Sequence, residues 1–223
     1  MLKKLLFVLL LFLTTAIAMA SESRHQDLKQ IQKVLQFWFD ANHHSEPLYN
    51  RDIWWAKDQK WDTQIREQFG QLRRQAIQGD LKHWLNTPQG TLAYIILTDQ
   101  FSRNMYRDKP AMYQYDGLAL KAAKLAIEKK YDEALTLTQR VFMYLPLEHA
   151  ENLQAQEQSL SLFKQLYKDT PEDYKDIAQN YLNYAKAHHE IISKFNRFPH
   201  RNKILGRESS SEEIAFLKEH KGF

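Results

Sequence analysis

Apolar side chains recur every three or four residues along most of the chain, which is the spacing that places them on one face of an α-helix. The first run of this kind covers residues 24–40 and carries Leu28, Ile31, Val34, Leu35 and Trp38. A second run covers residues 58–77 and stops at Gly79-Asp80, after which a short helix runs through Trp84. The stretch from His43 to Pro47 lies between the two runs, so the pattern predicts two amphipathic helices joined by a loop.

Capping residues and prolines indicate where the later helices begin. Thr87 precedes Pro88, and a threonine N-cap followed by proline at the first helical position predicts a helix over residues 88–103. The stretch SSSEEIAFLKEH contains a capping box and predicts a terminal helix. Three further helices, each with a proline in its first turn, are predicted over residues 110–130, 146–167 and 171–195.

The predicted helices account for nearly the whole chain and indicate an all-α fold of about nine helices. Six glycines and six prolines in 223 residues are too few for the frequent turns of a β-sandwich or barrel. The stretch KLAIEKKYDEAL, residues 124–135, resembles the turn of a tetratricopeptide-type helical hairpin. We therefore predict a single domain, residues 21–223, built from antiparallel helical hairpins in a tetratricopeptide-like arrangement.

Residues 1–20 show the three-part pattern of a secretory signal peptide. Two lysines at residues 3–4 precede an unbroken apolar core at residues 5–13, and AMA at residues 18–20 is an A-x-A cleavage site. The apolar stretch is shorter than the ~20 residues that a membrane-spanning helix needs, so cleavage before Ser21 is favoured over a retained anchor. We expect an exported protein, periplasmic or secreted, without a stable membrane anchor after cleavage.

The composition excludes several classes of protein. The chain contains no cysteine, which excludes structural disulfides and a lipoprotein-type anchor and suits an oxidising compartment. The net charge is +4 for the whole chain, and removing the two lysines of the signal peptide lowers it to +2. A nearly neutral domain without a basic stripe is not expected to bind nucleic acid.

Polar residues follow the apolar run of residues 93–97 at positions where helical periodicity predicts core. Asp99 and Arg103 are four residues apart and can pair on one helix face, while Gln100 and Asn104 share the neighbouring face. An arginine near a helix C-terminus also interacts with the last carbonyl groups, so a purely structural pair is the simpler interpretation. The alternative is that Arg103 binds an anion and the other three residues support it.

A second polar segment, YLPLEHAEN, contains Glu148, His149 and Glu151. If a helix begins at Pro146, carboxylates in its first turns are stabilised by the helix dipole, which is the structural interpretation of Glu148. A histidine gains nothing there, but a neighbouring carboxylate can hold an imidazole in one tautomer and make it a general acid or base. Glu148 and His149 are therefore candidate catalytic residues. Their spacing matches no known metal-ligand motif, and we expect no metal and no other cofactor.

The third segment, FNRFPHRNKILGR over residues 195–207, interleaves cations with apolar side chains. Arg197, His200 and Arg201 are candidate anion-binding residues, with Asn202 in support. A solvated charge run would not carry this many apolar residues, so the pattern indicates cations that are held in fixed positions.

The residues around this segment predict a stiff loop behind a helix. Asn196 is suited to the left-handed conformation that ends a helix, and Phe198 must be extended because proline follows it. His188, on the helix before the loop, is a third acid/base candidate. A single histidine on an apolar helix face is more often a satisfied core residue, and that interpretation stays open.

These motifs resemble the bacterial family catalogued as domain of unknown function 924. The resemblance covers about residues 28–220 and rests on VLQFWF (34–39), DQFSRN (99–104), YLPLEHAENLQAQE (144–157) and the stretch from His188 to Arg207. It implies a tetratricopeptide-like, all-helical fold. It implies no reaction, because no activity is established for the family.

The chain departs from the family pattern in two motifs. Asn196 replaces the usual glycine of FGRFPHRN, which a left-handed asparagine allows. EHAEN replaces the more usual His-Ser-Glu-Asp, so Ala150 and Asn152 remove a hydroxyl and a carboxylate. This loss argues against a metal site or a strongly acidic site. The signal peptide is a further departure, since relatives mostly look cytoplasmic.

We expect the three polar segments to converge on one pocket that binds a small anionic molecule. In this hypothesis Arg103, Arg197 and Arg201 hold the anion at the N-terminus of the helix that begins at Pro146. The acid/base candidates are Glu148, His149 and His188. The expected aromatic walls are Trp38, Phe101 and Phe198.

A non-catalytic role is the alternative. Tetratricopeptide-like modules often bind a peptide or protein partner in a concave groove, and the same polar residues would then pin helix ends together. A pocket faced by His149 and His188 would favour small-molecule chemistry. A filled core in which every arginine is paired with an acid would favour the structural role.

Overall fold

The structure, a computed structural model, describes the backbone of residues 2–40 and 46–220 and the side chains of residues 21–40 and 46–220. Within these ranges the chain forms nine helices and no strand, which confirms the all-α prediction. The helices are α1 Leu2–Phe39, α2 Gln59–Gln78, α3 Pro88–Ile95 with its continuation to Met105, α4 Asp116–Glu128, α5 Leu137–Glu148, α6 Leu153–Asp169, α7 Lys175–Phe195, α8 Asn202–Leu205 and α9 Ser211–Glu219.

Local sequence signals account for several helix ends. Thr87 accepts a hydrogen bond from the Gly90 amide at 3.1 Å and caps α3, as predicted. Ser210 forms the predicted capping box at the start of α9. Asn196 takes the predicted left-handed conformation, with φ 56°, and ends α7.

The predicted helix over residues 146–167 is wrong. Pro146 lies inside α5, which begins at a capping box on Thr136, and a separate helix, α6, begins after Asn152. A proline inside a helix removes one backbone hydrogen bond, and here the burial of the apolar stretch around it offsets that loss. Glu148 and His149 therefore lie at the C-terminal end of a helix, so no helix N-terminus at Pro146 can bind an anion.

At two other positions a 3₁₀ turn forms where the sequence predicts the start of an α-helix. Pro110 opens a 3₁₀ turn over Pro110–Met112, and α4 begins only at Asp116. The tetratricopeptide-like turn also differs, because YDEA forms a 3₁₀ turn, Tyr131–Ala134, instead of opening the next helix. The antiparallel, tetratricopeptide-like arrangement and the single-domain boundary stay predictions.

The core lies between the helices from α1 to α7. Its largest fully buried side chains include Trp38, Trp84, Phe69, Phe142 and Phe163. Consecutive helices pack on each other, α5 against α6 and α6 against α7, and residues that follow α5 and α7 line the same side of the bundle. That side carries the polar residues described below.

Two sequence predictions fall on residues beyond this description. The interruption at His43–Pro47 is covered only from residue 46, because residues 41–45 lie outside the described part. The predicted signal peptide, residues 1–20, has no described side chains, although its backbone from residue 2 belongs to α1. Among the described residues, no helix combines the length and the apolar character needed to cross a membrane.

Candidate functional site

An irregular stretch of α3 carries Asp99. Residues Ile96–Gln100 form a π-helical turn, with the Phe101 amide donating to the Ile96 carbonyl five residues earlier. Side-chain hydroxyls bond to the carbonyls around this turn: Thr98 Oγ1 donates to the Tyr94 carbonyl at 2.8 Å and Ser102 Oγ donates to the Thr98 carbonyl at 2.6 Å. These bonds give the backbone carbonyls around the turn hydrogen-bond partners inside the core, where water cannot reach them.

Asp99 is fully buried; its carboxylate is hydrogen-bonded to His149 and Gln100 and forms an ion pair with Arg103. Its oxygens lie 2.9 Å from His149 Nδ1, 2.8 Å from Arg103 Nη1 and 2.6 Å from Gln100 Nε2. Burial alone would raise the pKa of Asp99, but the charge of Arg103 and the contacts with His149 and Gln100 outweigh it and hold the pKa at about 2. Asp99 is therefore ionised at neutral pH, and the predicted pairing with Arg103 is confirmed.

His149 follows α5 and is held by Asp99. Burial, with the positive charge of Arg103, lowers the pKa of His149 below its ordinary value, although Asp99 opposes the shift. A neutral imidazole that faces a carboxylate must donate to it, so Nδ1 carries the proton and Nε2 keeps its lone pair. Within the described part of the chain, Asp99 is the one hydrogen-bond partner of this ring, whose side chain is 15% exposed.

Two arginines surround Asp116, at the start of α4. Arg103 binds Asp116 with two hydrogen bonds of 3.1 Å, and these contacts outweigh the effect of its burial and raise its pKa. Arg201 Nη1 lies 3.5 Å from the same carboxylate, and the Arg201 guanidinium sits between the rings of Tyr113 at 4.5 Å and Phe198 at 4.4 Å. Arg201 is only 6% exposed, and its Nε has no hydrogen-bond partner among the described residues.

A pocket of about 330 Å³ opens beside these groups. Its polar wall contains His149, Arg201, Asp116 and Glu151, and its apolar wall contains Leu120, Pro146 and Leu205. The pocket lies where the start of α4, the connection from α5 to α6 and the loop after α7 meet. The structure thus brings residues from the two later polar segments to one cavity: His149 and Glu151 from the second segment and Arg201 from the third.

Glu148 and His188 lie behind His149 and do not line the pocket. Glu148 Oε1 is 3.2 Å from His188 Nδ1, and Glu148 Oε2 is buried with no hydrogen-bond partner in the described part. Burial and the negative charge of Asp99 raise the pKa of Glu148 to about 8. Burial and the nearby His149 lower the pKa of His188 well below its ordinary value, and the two imidazole rings are 6.3 Å apart.

Arg197, expected to bind the anion, is bound instead by α9. Its Nε and Nη2 lie 2.6 Å and 2.8 Å from the two carboxylate oxygens of Glu213. Asn202 also donates to Glu213, at 3.3 Å, and to Ser209 at 3.0 Å. These contacts fix the loop to the C-terminal helix and lie outside the pocket wall.

Glu151 fixes the other side of the same loop. It accepts a hydrogen bond of 2.8 Å from the Phe198 amide and two from Arg207, at 2.6 Å and 2.9 Å. His200 is close by, with its ring 5.5 Å from Phe198, and burial and the charge of Arg201 lower its pKa to about 4. The loop is thus stiff, and its cations are held in place as the sequence indicates.

The remaining expected residues are distributed between core and site. Trp38 and Phe101 do not wall the pocket, because they pack in the main core with ring centroids 5.6 Å apart. Phe198 does belong to the site, through its contact with Arg201. Asn104 donates to Asp62 at 2.8 Å, away from the pocket.

Asp116 and Tyr113 are the site residues that the sequence did not reveal. Asp116 lies in the first turn of a helix, where an acidic residue is common and does not indicate a site. Tyr113 lies in the segment predicted to be helical after Pro110. Neither belongs to a recognisable motif, so only the fold shows their contact with Arg103 and Arg201. Among the described side chains, no group of three or more His, Asp or Glu residues is arranged to hold a metal ion.

Fold and site together define an all-helical protein with a buried Asp–His–Arg network at the edge of a pocket. The chain belongs to the family described as "Bacterial protein of unknown function (DUF924)", whose model matches residues 34–221. A solved structure of a protein of unknown function from Agrobacterium tumefaciens is similar, with 34% identity and a TM-score of 0.73. That match covers 85% of this chain and 97% of the other. No curated protein matches this chain.

Proposed function

We propose that this protein uses His149 as a general acid/base on a small anionic molecule bound in the pocket. The observation that carries the proposal is the pairing of His149 Nδ1 with the fully buried Asp99 at 2.9 Å, at the wall of a cavity of about 330 Å³. A histidine held by a buried carboxylate at a cavity has the geometry that general acid/base catalysis requires.

The charges around His149 suit this role. In the resting protein the ring is neutral, so Nε2 can accept a proton from the bound molecule or from a water beside it. The imidazolium that results is stabilised by Asp99, which stays ionised because of Arg103. Arg103 therefore acts through Asp99 and Asp116 and is a positioning residue, not a group that contacts the bound molecule.

Arg201 supplies the positive charge for an anion. It lines the same pocket as His149, is nearly fully buried, and forms one ion pair among the described residues, with Asp116 at 3.5 Å. Asn152 also lines the pocket and caps the 17-residue helix α6, so the positive end of that helix dipole faces the same region. The expected helix N-terminus is thus supplied by α6 and not by a helix at Pro146.

The structural alternative accounts for part of the polar network. Arg103, Arg197 and Arg207 are each bound to a carboxylate, which is what a network that pins helix ends predicts. It does not account for His149, whose ring opens on the pocket, or for the unpaired Nε of Arg201. A peptide-binding role stays a prediction that rests on the tetratricopeptide-like resemblance.

The proposal is tested by comparing turnover in the full chain and in two histidine variants. A mixture of small carboxylates, phosphate esters and amino acids is incubated with wild type, with His149→Gln and with His25→Gln, and followed by nuclear magnetic resonance. His25 is exposed on α1 and serves as the control. We expect wild type and His25→Gln to convert at least one component that His149→Gln leaves unchanged. Equal conversion by all three proteins, or conversion by none, would contradict the proposal.

A further inference from the structure

We infer that the molecule taken by this pocket is a monocarboxylate with a short apolar body, held by Arg201. The inference rests on the proposed function for the place of the site and adds the chemical class of its ligand. The inference rests on three observations: the ion pairs that the arginines around the pocket already make, the balance of charge there, and the apolar residues that line the pocket.

Arg201 is the cation with capacity left for a ligand. Arg103 makes two hydrogen bonds of 3.1 Å to Asp116, and Arg207 makes two of 2.6 Å and 2.9 Å to Glu151. Arg201 has one acidic contact, at 3.5 Å, which is longer than a normal charge-assisted hydrogen bond. A buried guanidinium so poorly paired costs free energy, and a bound anion would offset that cost.

The guanidinium of Arg201 is also preorganised. The rings of Tyr113 and Phe198 lie 4.5 Å and 4.4 Å from its central carbon and leave it little freedom to turn. A planar, fixed fork of N–H donors matches the two oxygens of a carboxylate, and little conformational entropy is lost when the anion binds.

The charge balance favours one negative charge over two. Arg103, Arg201 and Arg207 face the carboxylates of Asp99, Asp116 and Glu151, so the cluster is neutral while its histidines are uncharged. The lowered pKa values of His149, His188 and His200 keep those rings uncharged at neutral pH. A phosphate dianion would place a second charge beside Asp116 and Glu151, and the described lining of the pocket contains no second arginine or lysine.

The apolar residues of the pocket, which also has Gln114 and Asn152 in its lining, indicate the body of the ligand. Leu120, Pro146 and Leu205 line the pocket together with Gly117 and Ala150, and none of these side chains offers a hydrogen bond. A short alkyl or aryl chain would cover these surfaces and release water from them. A highly hydroxylated molecule such as a sugar acid would leave its hydroxyl groups unpaired there.

The test uses three probes of one chain length on the full chain: butyrate, butyl phosphate and butylammonium, by isothermal titration at pH 7. We expect butyrate to bind about tenfold or more tightly than butyl phosphate, and butylammonium not to bind. Arg201→Lys is expected to weaken butyrate binding by about tenfold or more, because lysine cannot form the two-pronged contact. Arg197→Lys, on the same loop but bound to Glu213, should bind butyrate as wild type does.

Three outcomes would overturn the inference: butyl phosphate binding at least as well as butyrate, Arg201→Lys and Arg197→Lys binding equally, or no binding of butyrate. If Arg201→Lys fails to fold, as judged by circular dichroism, Leu205→Glu takes its place. Leu205 is only partly buried, so the added carboxylate faces the pocket at little cost to the core. It should weaken butyrate by about tenfold, and unchanged binding would count against the inference.

The failure of this inference and that of the proposed function can be told apart with His149→Gln. If butyrate binding depends on Arg201 but no turnover depends on His149, the acid/base proposal is wrong and the carboxylate inference stands. His149-dependent turnover of a phosphate ester alone would sink the carboxylate inference and leave the acid/base proposal standing.

Discussion

Glu148 and His149 are neighbours in sequence, yet the same burial shifts their pKa values in opposite directions. It raises the pKa of Glu148 to about 8 and lowers the pKa of His149, because burial disfavours whichever form is charged. Both side chains are therefore largely uncharged near pH 7. The negative charge of the inner network resides on Asp99, which is the residue that contacts His149.

Glu148 should make the protein less stable as the pH rises. Its pKa is about 8 in the folded chain and ordinary in the unfolded chain, so the folded state holds a proton that the unfolded state has released. Between about pH 4.5 and pH 8 this difference lowers the free energy of unfolding by up to ~1.4 kcal/mol per pH unit. Above the folded pKa the free energy of unfolding falls no further from this cause. We expect Glu148→Gln to lack this loss in urea denaturation measured from pH 5 to 8.

The effect of Glu148 must be measured as the difference between wild type and Glu148→Gln. The histidines whose pKa values are lowered change the stability with pH in the opposite direction. Their folded forms bind fewer protons, so they add stability as the pH rises through the lower part of this range. Glu190→Gln, an exposed change on α7, is the control and should follow wild type. Parallel pH profiles for wild type and Glu148→Gln would show that Glu148 is not a buried neutral acid.

The sequence allowed several residues of the site to be predicted, but it did not allow most of the contacts between them to be predicted. The pairing of Asp99 with Arg103 follows from a four-residue spacing on one helix, which is a local relation. His149 stood out because a histidine gains nothing at the place predicted for it. Its partner Asp99 is 50 residues away, and Asp116 is 13 residues from Arg103. Such contacts depend on how helices pack, which no spacing in one sequence encodes.

The π-helical turn in α3 is the element that aims Asp99 at His149. It also places Ser102, which donates to the Thr98 carbonyl at 2.6 Å and accepts from Arg73 Nε at 2.8 Å. Arg73 is 4% exposed and is otherwise contacted by the rings of Tyr106 and Tyr115. The Ser102 hydroxyl therefore joins α2 to the irregular part of α3.

Ser102→Ala should destabilise the protein by about 1–3 kcal/mol, the cost of leaving a buried donor without its partner. Ser159 is the matched control: it is equally buried on α6, but its hydroxyl has no hydrogen-bond partner among the described residues. Ser159→Ala should therefore cost much less. Urea denaturation of both variants checks this, and equal losses would mean that the Ser102 contacts do not stabilise the turn.

Pro146 shows why helix boundaries were predicted less well than helices. The prediction took Pro146 as a helix start and did not identify the capping box at Thr136, ten residues earlier. The structure follows the capping box, because the consecutive residues from Val141 to Leu147 are buried on all sides of one helix. Tertiary burial decided between two local signals, and it placed His149 at the end of a helix.

The hydrogen bonds that Glu151 accepts from the Phe198 amide and from Arg207, called here the Glu151 clamp, should restrict the motion of the loop after α7. Glu151 accepts hydrogen bonds from the Phe198 amide and from Arg207, and its pKa is lowered because these bonds outweigh burial. In Glu151→Gln the pair with Arg207 loses its charge assistance. Hydrogen exchange should then be faster at the Phe198 amide and unchanged at the Gly90 amide, which Thr87 holds in α3. Unchanged exchange at Phe198 would contradict the role of Glu151 as a clamp.

For the whole molecule, the fold class was predictable because helical periodicity is a local property of the sequence. The apolar stripe of residues 24–40 and the caps at Thr87 and Ser210 are each readable in a short window. The arrangement of the helices is a long-range property, and the hairpin turn read at residues 124–135 forms a 3₁₀ turn instead. Local patterns therefore define the helices, while the site depends on their packing.

We propose that residues 1–20 are removed on export and predict that the chain from Ser21 onward is as stable as the full chain. The described side chains of α1 that are buried in the core all lie after residue 20, and they are Ile31, Val34, Trp38 and Phe39. Asp27 is also retained, and it bonds to His83 at 2.8 Å and to Trp84 at 3.1 Å. Melting temperatures of the two chains should agree within about 2 °C.

A chain that begins at residue 41 is the matched control, because it lacks α1 and the fully buried Trp38. Losing a buried tryptophan alone costs about 3–5 kcal/mol, so this chain should show no cooperative melting. The mass of the protein recovered from the periplasm should match a chain that starts at Ser21. A full-length mass in that fraction would contradict cleavage, and early melting of the chain from Ser21 would mean that residues 1–20 belong to the folded unit.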